Sequence, residues 1–390
     1  MRNMYFLIIL IFMLAFIACS KSTSSSGGSV YASMASSSSS SSSSSTDSTN
    51  SNTNRSGVLT AAEWNDLENW SFLQNLLSSD TFKTYQSKWG FYCGNKWIFT
   101  VSDITAKPVE DAVIKINDGN EDVVVLHTNR FGIAHAVPAI FSNTAATKYT
   151  YSINYKGKEY ATGTLLNTTN TINYTLAQNT SISQNVDLMF VVDATGSMGD
   201  ELEYLKNELY NVLSRADSAL TNKSVKYGLV FYRDNGDDYV TRPKNFTPDK
   251  NEITNFVKAQ SAGGGGDTPE AVDQALTVAL QQSWSSDAHA RIMFLILDAP
   301  PHDEKMTAVR TKIKEAAQQG ITIIPLAASG TDKSTEFLLR FIAIATNGTY
   351  TFLTDDSGIG NAHTTPSVGT YKVEFLNNLM VRLISKYAGN

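Results

Sequence analysis

The stretch that decides the fold reads Val186-Asp187-Leu188-Met189-Phe190-Val191-Val192-Asp193-Ala194-Thr195-Gly196-Ser197. Val186–Val192 is an apolar run of the kind expected of a strand buried on both faces. It leads straight into a segment in which three oxygen-bearing side chains, Asp193, Thr195 and Ser197, alternate with small residues. In a loop leaving a strand end, that alternation turns all three toward one point. One carboxylate with two hydroxyls is a hard oxygen set, suited to Mg²⁺ or Mn²⁺ rather than zinc.

Downstream, helix-period and strand-like segments alternate. Leu202–Leu220 reads as an amphipathic helix, Tyr227–Tyr232 as a strand, and Pro248–Ala259 and Pro269–Gln282 as helices, the latter with Pro in its first turn. Ile292–Leu297 and Ile321–Leu326 read as strands on either side of a Lys305–Gln319 helix. Phe337–Ala345 (helix), Tyr350–Leu353 (strand) and Tyr371–Tyr387 (helix) complete the order. This predicts an α/β fold with a doubly wound, mostly parallel sheet, whose ligand site lies at the C-terminal ends of the strands. Asp298 closes Ile292–Leu297 at such an end, so it converges with Asp193 if the two strands are neighbours. Between them lies Gly263-Gly264-Gly265-Gly266-Asp267-Thr268-Pro269-Glu270, whose glycines permit a tight, close-approaching loop. The acidic loop Asp234-Asn235-Gly236-Asp237-Asp238 follows the Tyr227–Tyr232 strand and should border the same face.

These motifs resemble the metal-ion-dependent adhesion site of von Willebrand factor type A domains. Asp193, Thr195 and Ser197 match the first motif, with Thr in the middle place where Ser is commoner. Asp298 matches the last, and Thr268 falls where the family's threonine belongs, with Asp267 as its alternative. The resemblance spans roughly Asn185 to Tyr387. It implies a bound Mg²⁺ (or Mn²⁺ or Ca²⁺) with an open coordination position that accepts an acidic residue from a partner protein. Its expected output is binding, not turnover.

Two other readings compete. Thr195-Gly196-Ser197-Met198-Gly199 is a near miss to the Gly-x-Ser-x-Gly nucleophile elbow, and Asp298 with His302 or His363 follows in hydrolase order. Thr195 replaces the first Gly there, where a Cβ crowds the turn, and the elbow leaves Asp193 and Asp267 unexplained. The third reading is a structural subunit of a surface assembly in which the metal is dispensable.

The N-terminal half frames this domain. Arg2 followed by the apolar stretch Tyr5–Ala18 reads as a signal peptide over 1–18, too short to span a bilayer. Phe16-Ile17-Ala18-Cys19 resembles a lipobox, with Phe16 where Leu is usual, which implies that Cys19 carries the lipid. Residues 19–57 are nearly all Ser, Thr, Gly and Asn, with an unbroken serine run from Ser36 to Ser45. Such a segment buries too little apolar surface to offset its ordering entropy, so it reads as a disordered tether. The expectation is a lipid-anchored protein of the bacterial cell envelope, on the outer membrane or cell surface.

A helix is predicted over Leu59–Ser87 within residues 58–88, with Thr60 and Glu63 as a capping box. Trp97–Val101, Ala112–Ile116, Asp122–Leu126, Tyr149–Tyr155, Tyr160–Leu165 and Thr171–Leu176 read as strands. Ala106–Val113 followed by Thr128–Ala134 resembles a carboxypeptidase-regulatory-like β-sandwich, which places a small all-β domain at 89–180 before a type A domain at 181–390. His127 and His135 are too isolated to suggest a metal site, and Cys93 reads as a small buried hydrophobe. The formal net charge is −6. With no dense Lys/Arg cluster, that balance argues against a nucleic-acid partner.

Overall fold

The structure is a computed structural model and describes residues 59–357 and 363–389. The signal peptide, Cys19 and the tether lie outside the described residues. The chain enters with β1 (Thr60–Trp64), α1 (Trp70–Leu77) and α2 (Asp80–Trp89). It continues through β2 (Trp97–Ser102), β3 (Val113–Asn117), β4 (Asp122–His127), β5 (Ile133–Ala136), β6 (Thr150–Tyr155), β7 (Lys158–Thr164) and β8 (Thr171–Thr175). The C-terminal half runs β9 (Asn185–Asp193), α3 (Gly199–Ala219), β10 (Ser224–Tyr232), β11 (Thr241–Thr247), α4 (Lys250–Lys258), α5 (Val272–Leu280) and β12 (Ala290–Leu297). It ends with α6 (Met306–Gln318), β13 (Ile321–Ala327), α7 (Lys333–Ala345), β14 (Tyr350–Thr354), β15 (Val373–Phe375) and α8 (Leu376–Ala388).

An eight-stranded sheet in the order β11-β10-β9-β12-β13-β14-β1-β15 organises the molecule. Its centre, β10 to β14, is parallel, and the flanking strands β11, β1 and β15 run antiparallel to their neighbours. The fold is thus a mixed, mostly parallel sheet covered by helices. Strand β9 is buried on both faces, as its apolar run requires. Leu188, Phe190 and Val192 pack into one apolar cluster with α3 and α8. Met189 and Val191 point the other way, into a cluster with α5, α6 and α7. The period of two along the strand is what divides the two layers.

The smaller sheets β5-β2-β8 and β4-β3-β6-β7 share that second cluster through Phe99, Val101, Ile114, Ile116 and Ile153. They are tied to the base of the large sheet by ion pairs. Arg291 Nη1 lies 3.0 Å from Asp111 Oδ1, and His127 bridges the same carboxylate to the Gln318 carbonyl at the end of α6.

Several expectations need correction. The predicted helix over Leu59–Ser87 begins instead as strand β1, pairing Thr60 with Thr354 and Trp64 with Tyr350. Leu59 and Ala61 face one apolar cluster while Ala62 and Trp64 face the other. Burial on both sides therefore overrides the helical spacing, and the Thr60 hydroxyl donates to the Thr354 carbonyl rather than capping a helix. Only the later part is helical, as α1 and α2, split at Ser78–Ser79. Strand β1 also makes the large sheet wider than residues 181–390 alone. The predicted final helix loses its first residues to β15, and the helix expected from Pro269 starts at Val272. Strand β11 was not foreseen. It carries Pro243, which an edge strand tolerates because only one side is hydrogen-bonded.

Candidate metal centre

Strands β9 and β12 are adjacent and parallel, with Ile296 opposite Val192. Asp193 at the end of β9 and Asp298 just past β12 therefore meet at the same sheet edge. Asp193 is fully buried. Its Oδ1 accepts from the Thr195 N–H at 2.9 Å and the Thr195 hydroxyl at 2.7 Å. Ser197 Oγ lies 3.4 Å from Thr195 Oγ1. The three side chains of the first motif thus lie together at the end of β9. The other oxygen, Asp193 Oδ2, is buried with no hydrogen-bond partner among the described residues, and so is Asp298 Oδ1.

A third carboxylate joins them. Glu270 is 3% exposed, its Oε2 also lacks a partner, and its N–H donates to the Pro300 carbonyl at 2.9 Å. The sequence placed Glu270 inside a helix and so gave it no role. Its extended pairing with Pro301 turns it toward Asp193 instead. The available signal was its position directly after the Gly-rich loop and a Pro.

The glycines hold that loop against the first motif. Gly263 N–H donates to the Ala194 carbonyl at 3.1 Å, and Gly196 N–H to the Gly264 carbonyl at 3.3 Å. Gly265 has φ of +71°, and a Cβ there would lie 2.9 Å from Glu270 Oε1 and 3.0 Å from Thr195 Cβ. Close approach and left-handed backbone both require glycine at this position. Asp237 from the acidic loop caps the turn by accepting from Gly265 N–H at 3.0 Å. By contrast, Asp267 and Thr268 are exposed, and neither makes a hydrogen bond to the buried carboxylates. The loop meets the first motif through its glycines and Glu270.

The electrostatics follow from this crowding. Burial, with the Asp298 charge added, pushes Asp193 up to about 7. Burial and the charges of Asp193, Asp234, Asp237 and Asp298 push Glu270 up to about 9. Burial raises Asp298 as well, opposed by the Ser197 hydroxyl. Glu201 in the first turn of α3 adds to the set. Its Oε1 accepts from Ser329 N–H and Oγ at 3.0 and 2.7 Å, its Oε2 is buried without a partner, and burial raises it. Among the described residues no three His, Cys, Asp or Glu side chains hold metal-ligating geometry on their own. The donor set is instead carboxylates plus the Thr195 and Ser197 hydroxyls, and the orphaned buried oxygens are what a hard cation satisfies.

The histidines are engaged elsewhere. His302 Nε2 lies 2.7 Å from Asp234 Oδ1, which raises the His302 pKa. His363 sits between Asp355, at 2.7 Å from Nδ1, and Ser329, at 3.1 Å from Nε2. Neither hydrogen-bonds Ser197, so the elbow-type triad is not assembled. His127 bonds Asp111, and burial holds His135 down to about 4. Cys93 is a free, partly buried thiol, which burial pushes well above its usual range.

Residues 187–364 match the von Willebrand factor A domain family. A putative ariadne-like RING finger protein of Acanthamoeba polyphaga mimivirus is 35% identical over 117 residues, 30% of this chain and 11% of that protein. An alpha-protein kinase of Dictyostelium discoideum is 30% identical over 122 residues, 31% of this chain and 19% of the kinase. The match thus spans under a fifth of either relative. A solved von Willebrand factor type A structure from Catenulispora acidiphila aligns with 77% of this chain and 51% of that one, at 13% identity and a TM-score of 0.38. The parallel sheet, the motif at the end of its central strand and the family match agree on a von Willebrand factor A domain over residues 187–364.

Proposed function

We propose that this domain binds a divalent cation, Mg²⁺ or else Mn²⁺ or Ca²⁺, and through it captures an acidic group of a partner protein. Asp193, Thr195, Ser197 and Asp298 hold the ion, with Glu270 as the further carboxylate and Asp267 or Thr268 as the candidates of the outer loop. The carrying observation is the set of buried oxygens without partners, Asp193 Oδ2, Asp298 Oδ1 and Glu270 Oε2, at one sheet edge. Buried carboxylates left unpaired are costly, and a bound cation removes that cost. When bound, the ion offers a vacant coordination position to a ligand carboxylate. Thr195 fixes the rotamer of Asp193, and the glycine loop brings Glu270 within reach. Lipid attachment at Cys19 and the 19–57 tether set this binding head at the cell envelope. Among the described residues no helix is long and apolar enough to cross a membrane.

Calorimetric titration of Mg²⁺ and Mn²⁺ into the wild-type protein and into Asp193→Ala, Ser197→Ala and Asp298→Ala tests the reading. Wild type should bind at least one ion, Asp193→Ala should lose it, and the other two should weaken it. Failure of wild type to bind either ion, or undiminished binding by Asp193→Ala, leaves the structural-subunit reading in its place. Radiolabelled palmitate incorporation into wild type but not Cys19→Ser tests the anchor.

A further inference from the structure

The sequence holds two Asn-Gly pairs, Asn235-Gly236 and Asn347-Gly348. An asparagine followed by glycine is open to self-cyclisation, in which the backbone nitrogen of the glycine attacks the side-chain Cγ, because glycine has no Cβ to obstruct the approach. The structure treats the two pairs differently.

Asn347-Gly348 is locked. Asn347 Oδ1 accepts from the His135 N–H at 2.6 Å, and its Nδ2 donates to the His135 carbonyl at 2.9 Å. The Gly348 N–H donates to the Ala343 carbonyl at 2.8 Å, and a Cβ on Gly348 would run into the Ile323 carbonyl oxygen. Neither the attacking nitrogen nor the amide under attack is at liberty.

Asn235-Gly236 is open. Both residues are exposed, at the centre of a turn closed by the Asp237 N–H donating to the Asp234 carbonyl at 3.3 Å. Nothing lies within 4 Å of where a Gly236 Cβ would stand, and the Gly236 N–H makes no hydrogen bond among the described residues. Asn235 Oδ1 accepts from Gln274 Nε2 at 2.7 Å. That bond draws electron density from Cγ and leaves Nδ2 free to depart.

From this contrast we infer that Asn235 is a site of self-catalysed deamidation. The Gly236 nitrogen gives its proton to solvent hydroxide and bonds to Asn235 Cγ. The Cγ–Nδ2 bond breaks, ammonia leaves and a succinimide forms. Water then opens the ring at either carbonyl, to aspartate or isoaspartate. The consequence rests on the cation-binding reading above. Asp237 of the same turn caps the glycine loop at the Gly265 N–H. Isoaspartate adds a methylene to the backbone of the turn and shifts Asp237, so aged protein should bind Mg²⁺ severalfold more weakly.

The test incubates the full chain in warm, mildly alkaline buffer and follows its peptides by mass spectrometry, with ammonia release as a second readout. Asn235 should convert progressively, and Asn347 at least about tenfold more slowly, because its route needs a local opening. In urea the two should react at similar rates. Asn235→Gln should remove the fast phase of ammonia release. An unaltered Asn235, or an Asn347 that reacts as fast in the folded chain, overturns the inference. So does an Asn347 that stays slow in urea. Calorimetric Mg²⁺ titration before and after ageing separates the two readings. Undiminished affinity after proven conversion overturns the link to the ion, whereas no binding before ageing overturns the cation reading instead.

Discussion

Two aspartates at opposite fates show how this molecule handles buried charge. Asp66 and Asp193 are both almost wholly buried. Asp66 follows β1 and meets the buried Arg340 of α7 in a two-pronged pair, 2.6 Å to one oxygen and 2.8 Å to the other, with the Trp64 indole donating as well. Asp193 has a hydroxyl and an N–H on one oxygen, no hydrogen bond within geometric reach on the other despite the nearby Tyr232 hydroxyl, and carboxylates as its charged neighbours. The first arrangement is closed within the chain. The second leaves its charge for something outside the chain to balance. Burial alone therefore does not separate these two carboxylates; the presence or absence of a counter-charge does.

The largest effect should come from breaking the closed pair. Arg340→Ala strands Asp66 in the interior and should cost about 3–5 kcal/mol in urea unfolding. The double replacement Asp66→Leu with Arg340→Met should recover most of that. Equal loss in the double variant would show that the pair contributes beyond mutual neutralisation.

At the open site the same operation should have the reverse sign. Asp193→Asn in metal-free buffer should leave stability unchanged or raise it by roughly 0.5–2 kcal/mol, since it removes one of several repelling charges. The same variant should lose Mg²⁺ affinity by at least about 100-fold, the upper range seen even for removal of groups that only support a ligand. A clear loss of metal-free stability would mean that Asp193 is structural.

The pH dependence of the metal-free protein should be the next largest effect. Asp193 titrates near 7 and Glu270 near 9, both above their unfolded values. Between the ordinary carboxylate range and those values the folded state binds more protons than the unfolded one. Stability should therefore be fullest below pH about 4 for these two groups and decline as pH rises toward 7 and then 9. Saturating Mg²⁺ should flatten the decline, and its affinity should fall as pH drops below 7, because the ion competes with protons. Thermal unfolding across pH, with and without Mg²⁺, reads both; a flat metal-free profile contradicts the carboxylate crowding.

The smallest effect belongs to the exposed part of the glycine loop. Asp267→Ala and Thr268→Ala should each change stability by less than about 0.5 kcal/mol. They should also lower Mg²⁺ affinity less than Glu270→Gln does. A larger loss for Thr268→Ala would show that the ion draws this loop inward.

Much of this was legible in the chain. An apolar run ending in Asp193-Ala194-Thr195-Gly196-Ser197 and a second ending in Asp298 were enough to put oxygen-bearing side chains at two strand ends, because strand period and side-chain chemistry are local properties; that the two strands are neighbours only the sheet decides. Six of the seven strands between Trp97 and Thr175 were legible for the same reason; the short β5 was not among the predicted runs. What sequence could not settle was anything decided by which surfaces meet. Thr60–Trp64 carries helix-like signals, yet becomes a strand because partners on both its faces and both its edges are supplied by residues some three hundred positions away. Glu270 looks like a helix-start residue, and only its pairing with Pro301 aims it at Asp193. The polarity of a site is written in its residue types; whether a given carboxylate ends up neutralised, as Asp66 is by Arg340, or left open, as Asp193 is, depends on long-range packing that no local pattern encodes.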